Sequence, residues 1–232
     1  MNVSVIDLKN LSVAQQNTVL LSDVSFSIAK GEFVYLIGKT GSGKSSLLKI
    51  LYADLPLTKG EATVTSYNLK KIKRRHIPYL RRKIGIVFQD FQLLGDRNVL
   101  ENLYFVMRAT GWKSKQKMKQ RAEELLKRVG LIDKAANMPH RLSGGEQQKV
   151  AIARALINEP EIILADEPTG NLDPETSVEI LNLLFEISKT GSCVLMATHD
   201  YTMMEKFPFR TLKCENGMVT EVKPAAHFNP LR

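Results

Sequence analysis

Cysteine is nearly missing from this chain: Cys193 and Cys214 are the only two in 232 residues. Neither sits in a Cys-x-x-Cys pair and two thiols cannot build a disulfide framework, so free thiols in a reducing compartment are expected. Long apolar runs are missing as well. No stretch approaches the roughly 18 residues that a bilayer span needs. Residues 1–10 carry no basic cluster followed by an apolar block, so no secretory leader is expected. Aromatics are sparse, at 7%, and Trp112 is the single tryptophan. With 44% hydrophobic and 25% charged residues the chain can nevertheless bury a core, and its length suits one large domain or two small ones.

Acids are absent from one segment. Residues 70–83 hold eight Lys or Arg and no Asp or Glu: Lys70, Lys71, Lys73, Arg74, Arg75, Arg81, Arg82 and Lys83. Residues 112–128 hold seven basic residues against Glu123 and Glu124. The formal charge of +9 is therefore gathered in two patches, and the rest of the chain is net acidic. Such patches suit an anionic surface (lipid headgroups, an acidic partner or nucleic acid) or are plain solvated helix faces; both readings stand. Nucleic acid is disfavoured, because Tyr79 and Trp112 are isolated and offer no platform for stacked bases.

Residues 3–8 and 19–28 alternate apolar and polar in the manner of half-buried strands. Residues 32–37, 161–165 and 193–197 are short apolar runs that fit strands buried on both faces. Leu47, Leu48, Ile50 and Leu51 repeat at helical spacing, with Pro56 as the expected stop. Residues 98–128 read as mostly helical. Asp173-Pro174 opens a further helix with Ile180, Leu184 and Ile187 on one face and Gly191 as its end. Asn216-Gly217 is a hairpin signal between Leu212 and Val219. Strands alternating with helices predict an α/β fold with a mostly parallel, doubly wound sheet; the early strands and the polar helical middle are additions to it.

Gly38, Lys39, Thr40, Gly41, Ser42, Gly43, Lys44 and Ser45 match G-x-x-x-x-G-K-[ST] in full, between a strand and a helix. Glycines let the backbone turn tightly and aim several N–H groups at one anion, and the next helix adds its positive end. Lys44 supplies a charge between β- and γ-phosphates, and the Ser45 hydroxyl suits Mg²⁺. The apolar run at 161–165 ends in Asp166, an acid placed to hold the Mg²⁺ shell, and Glu167, placed to polarise a water as general base. Ser143 and Glu146 read as a capping box, which gives no reason for Gly144-Gly145 between them. Paired glycines at a helix start suit a second phosphate contact.

Residues 142–148, Leu-Ser-Gly-Gly-Glu-Gln-Gln, resemble the signature of ATP-binding cassette (ABC) proteins, with Glu146 where the usual form has Gln. The resemblance implies a P-loop NTPase with an antiparallel β subdomain and an inserted helical signature subdomain. It implies one domain over residues 1–223, with the helical insertion at about 90–158 and a tail at 224–232. By the same resemblance Gln89 contacts Mg²⁺, and His199 contacts the γ-phosphate. Asn171, Leu172 and Asp173 form the loop that links two subunits. Ser143, Gly144, Gly145 and Glu146 of one copy close over the phosphate loop of another, so that a homodimer sandwiches two ATP molecules. Residues 77–94, 96–99, 141–148 and 165–173 look like the cell-division branch of this family. Its ATPase works at the cytoplasmic face of the inner membrane with an integral-membrane, FtsX-like subunit, and the pair regulates peptidoglycan hydrolases. Lipoprotein-release and macrolide-type export ATPases share the cassette motifs and are the alternative. One feature departs from the family: residues 1–25 contain no Phe, Trp or Tyr to stack on adenine, and Gln15 or Gln16 falls near the expected place. A loosened preference for ATP over GTP is expected.

Overall fold

The computed structural model describes residues 4–15 and 18–222. Gln16 and the tail at 224–232 lie outside the described residues. Two sheets organise the fold. The smaller is antiparallel, built from β1 (Ser4–Gln15), β2 (Thr18–Ala29), β4 (Lys59–Val64) and β5 (Tyr67–Asn68) in the order β2-β1-β4-β5. The larger holds β3 (Phe33–Ile37), β6 (Ile84–Phe88), β7 (Ile162–Asp166), β8 (Cys193–Thr198), β9 (Arg210–Glu215) and β10 (Met218–Val222) in the order β10-β9-β3-β8-β7-β6. All its neighbours run parallel except β9 and β10. Asn216 and Gly217, at φ 51° and 74°, make the tight turn between that last pair.

The unbroken apolar runs follow from what covers them. In β3, Val34 and Leu36 join a core shared with the small sheet and α1 (Lys44–Leu51), while Phe33, Tyr35 and Ile37 join a second core under the other helices. Residues of β7 and β8 divide the same way, Leu164 and Leu195 to the first core, Ile163 and Val194 to the second. Both strand faces are dry, so alternation gives way to a continuous hydrophobic stretch. Cys193 and Cys214 are buried free thiols, and burial pushes the Cys214 thiol up to about 11.

Three helices, α3 (Val99–Ala109), α4 (Lys115–Arg128) and α5 (Gly144–Ala155), lie between β6 and β7 in the chain. They are followed by α6 (Pro174–Lys189), capped by Asp173 and ended at Gly191, and by α7 (Tyr201–Lys206), which periodicity had not revealed. The helix α1 stops before Pro56. Ala53 turns left-handed (φ 55°), and Arg81 on α2 (Ile77–Arg82) donates to the Tyr52 and Ala53 carbonyls at 3.0 and 3.1 Å. A left-handed backbone cap ahead of the proline ends that helix: the Asp54 and Leu55 N–H groups return to the Lys49 carbonyl at 2.8 and 3.3 Å.

One buried amide holds the loop before α3. Asn102 donates to the carbonyls of Leu94, Arg97 and Asn98 at 3.0–3.1 Å and accepts from the Leu94 N–H at 2.8 Å. Asn102→Ala takes away the side-chain partner of the Leu94 N–H and the Arg97 carbonyl and is expected to cost about 2 kcal/mol or more, read as a lower urea midpoint at unchanged slope. An unchanged midpoint would mean that the loop carbonyls find other partners.

Candidate active site

The ladder of the large sheet decides which residues meet. Phe88 pairs with Asp166, Asp166 with Ala197, and Ile37 with Thr198, so β3, β6, β7 and β8 end at one height. The residues that follow these ends are Gly38, Gln89, Glu167 and His199. Ligands of parallel sheets lie beyond such carboxyl ends.

The phosphate loop leaves β3 at Gly38. Its φ is 152°, and a Cβ there would lie 2.4 Å from the Cys214 carbonyl oxygen on β9. At the other end Gly43, φ 98°, caps α1 and lies where a Cβ would come within 3.0 Å of Leu21 on β2. The loop is thus clamped between two strands that only glycine admits. Lys44 is almost fully buried; its ammonium donates to the carbonyls of Gly38 at 2.7 Å and Lys39 at 3.3 Å. It lies 3.9 Å from the Glu167 carboxylate. The buried Ser42 hydroxyl has no partner among the described residues.

The Ser45 hydroxyl donates to Asp166 Oδ1 at 3.0 Å. Burial raises the Asp166 carboxyl above its ordinary range, while Ser45 and then Lys44 work against that rise. Glu167 has a left-handed backbone, φ 50°, fixed by its N–H to the Ala197 carbonyl at 2.9 Å. Its Oε1 is 2.9 Å from His199 Nδ1, and its Oε2 accepts the His199 N–H at 3.3 Å. Gln89 donates to Asn171 Oδ1 at 3.2 Å, and Asn171 donates back to the Gln89 carbonyl at 3.2 Å.

These groups line one cleft of about 880 Å³: Thr40, Gly41, Gly43, Lys44 and Ser45 on one wall, Gln89, Asp166, Glu167 and His199 on the other, with Gln15 and Leu20 at its rim. Gly38, Lys39 and Ser42 face a second hollow behind the loop, against Cys214 and Tyr201. No cluster of three or more His, Cys, Asp or Glu suited to a metal exists among the described residues. The Ser45–Asp166 pair, with the Gln89 amide in the same cleft, offers instead a sparse, all-oxygen edge. That donor set fits Mg²⁺, which keeps waters and takes its remaining ligands from phosphates.

Ser143, Gly144, Gly145, Glu146 and Asp173 do not line this cleft. Ser143 and Glu146 form the expected capping box, each side chain accepting the other's backbone N–H, and Glu146 also lies 3.7 Å from Lys134. Close packing supplies the reason for Gly145 that the cap does not: a Cβ there would sit 2.3 Å from Thr176 on α6. Thr176 itself donates twice to Asp173, and these bonds hold the Asp173 carboxyl below its usual range. The starts of α5 and α6 are therefore locked together. Sequence reasoning missed Gln148, fully buried, whose amide donates to the Pro168 carbonyl at 2.7 Å and the Phe88 carbonyl at 3.3 Å. It ties the segments beside Gln89 and Glu167, and as one more polar residue in a helix it carries no local signal.

The family model for ABC transporters matches residues 21–170, two thirds of the chain. The chain belongs to the ABC transporter family. As an ABC cassette it is 43% identical to the cell division ATP-binding protein FtsE of Streptococcus pneumoniae over 94% of each chain. It is 47% identical to that of Mycobacterium tuberculosis over 85% of each. Among solved structures, the ATP-binding cassette MJ0796, dimeric in a post-hydrolysis state with ADP and Pi, is 35% identical, with a TM-score of 0.82 over 96% of this chain and all of that one. The cbiO1 cassette of Clostridium perfringens is 30% identical, with a TM-score of 0.87 over 97% and 90%.

The raised pKa of Asp166 has a thermodynamic consequence. Between the ordinary carboxylate pKa and the raised one, the folded state binds more protons than the unfolded state, so stability falls as pH rises through that window. Asp166→Asn removes the charge and keeps the shape. Without nucleotide or metal it is expected to melt above the parent at neutral pH, with the gap closing as the parent carboxyl protonates in acid. Thermal melts across pH test this; a gap that persists or widens in acid would contradict it.

Proposed function

We propose that this cassette is the ATP-binding and ATP-hydrolysing subunit of an FtsEX-type complex. Two copies close around two nucleotides, and an FtsX-like integral-membrane subunit relays that closure to peptidoglycan hydrolysis during division. The observation that carries the dimer is the separation of the half-sites. Lys44, Ser45, Asp166, Glu167 and His199 share one cleft, while Ser143, Gly144, Gly145, Glu146 and Asp173 stand outside it, so a complete site needs a second chain. The relatives named above carry the cell-division reading.

In this reading Lys44 exchanges the Gly38 and Lys39 carbonyls for phosphate oxygens, and backbone N–H groups of the loop complete the cradle. Ser45, Asp166 and Gln89 would hold Mg²⁺, which when bound would neutralise charge on the phosphates. Gln89 must leave Asn171 to do so. His199 turns from Glu167 to the terminal phosphate, and the freed carboxylate orients and deprotonates the attacking water. Among the described residues no helix is long and apolar enough to cross a membrane; in this reading the FtsX-like subunit is the spanning component at the cytoplasmic face of the inner membrane. An apolar groove of about 380 Å³ between α2, α3 and α5, with Phe105 exposed at its edge, suits a segment of that subunit.

Glu167→Gln is expected to keep ATP binding, lose about a hundredfold or more in turnover, and accumulate an ATP-bound dimer in gel filtration. A variant that hydrolyses normally and stays monomeric with ATP would overturn the mechanism. Co-purification names the pathway: an FtsX-like subunit supports the division role, whereas a lipoprotein-release or macrolide-export subunit replaces it.

At the rim of the cleft Gln15 accepts from the Ser46 hydroxyl at 3.4 Å beside Leu20. An amide both donates and accepts and offers no ring to stack on, so it suits adenine and guanine alike. ATP and GTP turnover should lie within a few-fold of each other. Gln15→Tyr is expected to tighten binding of both nucleotides by about tenfold through stacking, which either base provides, with their ratio little changed. A strong ATP preference in the parent counts against this.

A further inference from the structure

The two basic patches differ in their acids: the second holds Glu123 and Glu124 beside Lys113, Lys115, Lys117, Lys127 and Arg128, five cations that form no ion pair among the described residues, whereas the first holds none. In α4, Lys119 pairs with Glu123, and Arg121 pairs with Glu124 and Glu159. In the first patch Arg81 and Lys83 are also spent, on Asp54 and Glu161. Of the remaining six, none takes part in an ion pair among the described residues; Arg82 is partly buried against Tyr79, and Lys70, Lys71, Lys73, Arg74 and Arg75 are all exposed. No acid occurs between Glu61 and Asp90.

These five are held on a fixed scaffold. Leu69 and Leu80 are buried at either end and Ile72 packs against the first core, so alternate side chains peg the segment down while the cations face outward. The Lys71 N–H bonds the Asn68 carbonyl and the His76 N–H bonds the Lys73 carbonyl, giving a short turn that leads into α2. Tyr79, 53% exposed, extends the same surface, with the Arg82 guanidinium 5.1 Å from its ring centre.

We propose that Lys70, Lys71, Lys73, Arg74, Arg75 and Tyr79 form a docking face for an anionic phospholipid bilayer. A row of unpaired point charges matches a diffuse negative surface, each Lys or Arg adding about fivefold to binding near the headgroups. Tyrosine, apolar in body and polar at its tip, suits the depth of the headgroups. Nucleic acid fits less well: one ring, with an arginine already over it, is no stacking platform. Lipid binding needs neither nucleotide nor partner. The same helix lines the groove through Pro78, Arg81 and Arg82, so contact here would turn the groove toward the membrane; that consequence alone rests on the proposed function.

The test is flotation of the full chain with vesicles of phosphatidylcholine alone or mixed with phosphatidylglycerol. Binding is expected only to the anionic vesicles, weakening with salt. The triple variant Lys71→Gln, Arg74→Gln, Arg75→Gln should lose on the order of a hundredfold in binding, with its melting temperature and solution ATPase rate unchanged. Replacing Lys113, Lys115 and Lys117 on the α4 side by Gln should matter little. Equal binding to neutral vesicles, or a triple variant that binds as the parent does, overturns the proposal. So does tighter binding to a DNA duplex or to polyglutamate than to the vesicles. Lost ATPase activity in the parent would instead strike at the proposed function and leave the flotation result standing.

Discussion

Four parallel strands hydrogen-bonded in register hold the chemistry of this cassette in place. Four residues of the site stand one position past a strand end, and the ladder pairs Phe88, Asp166 and Ala197 across β6, β7 and β8 while Ile37 meets Thr198 across β3 and β8. Gly38, Gln89, Glu167 and His199 therefore emerge side by side, although more than 160 residues separate the first from the last. A slip of one residue in any strand would turn its buried side chains to the opposite core, and the two cores forbid it. Precision at the site is thus inherited from hydrophobic burial beneath it.

Without nucleotide the polar groups of the cleft satisfy one another. The Lys44 ammonium rests on loop carbonyls, Ser45 on Asp166, Gln89 on Asn171, and Glu167 on His199. None of these bonds is strong enough to hold its group against a polyphosphate and a divalent cation, since each charge-assisted contact to phosphate outweighs a neutral one. A ligand must break several of them at once. In the proposed mechanism a small anion that reaches Lys44 alone would leave Glu167 bonded to His199.

The local parts of this design were legible in the sequence because local chemistry dictates them. Residues 38–45 need their glycines and Lys44 whatever surrounds them, the Ser143–Glu146 box caps a helix by its own side chains, and strands buried on both faces read as apolar runs. What escaped depends on residues far away in the chain. Pro56 is the stronger local stop, yet α1 ends earlier, where Ala53 turns left-handed and Arg81 from another helix holds the Tyr52 and Ala53 carbonyls just past the helix end. Gly145 is required by Thr176 on another helix, and the amides of Asn102 and Gln148 matter through carbonyls that fold onto them.

Those distant contacts link the two half-sites mechanically. From α5, Gln148 holds the Phe88 carbonyl, and Arg154 holds the carbonyls of Phe91 and Gln92, two successive residues in left-handed conformation. The loop that carries Gln89 is therefore gripped on both sides by the helix whose first turn is Ser143, Gly144, Gly145 and Glu146. Drawing Gln89 away from Asn171 toward a metal must either break those bonds, leaving buried polar groups unpaired, or carry α5 with it. Moving the helix is the less costly course wherever the Gly145–Thr176 packing permits it. In the proposed mechanism, occupancy of the cleft would thereby displace the signature segment, the surface that a second copy would meet.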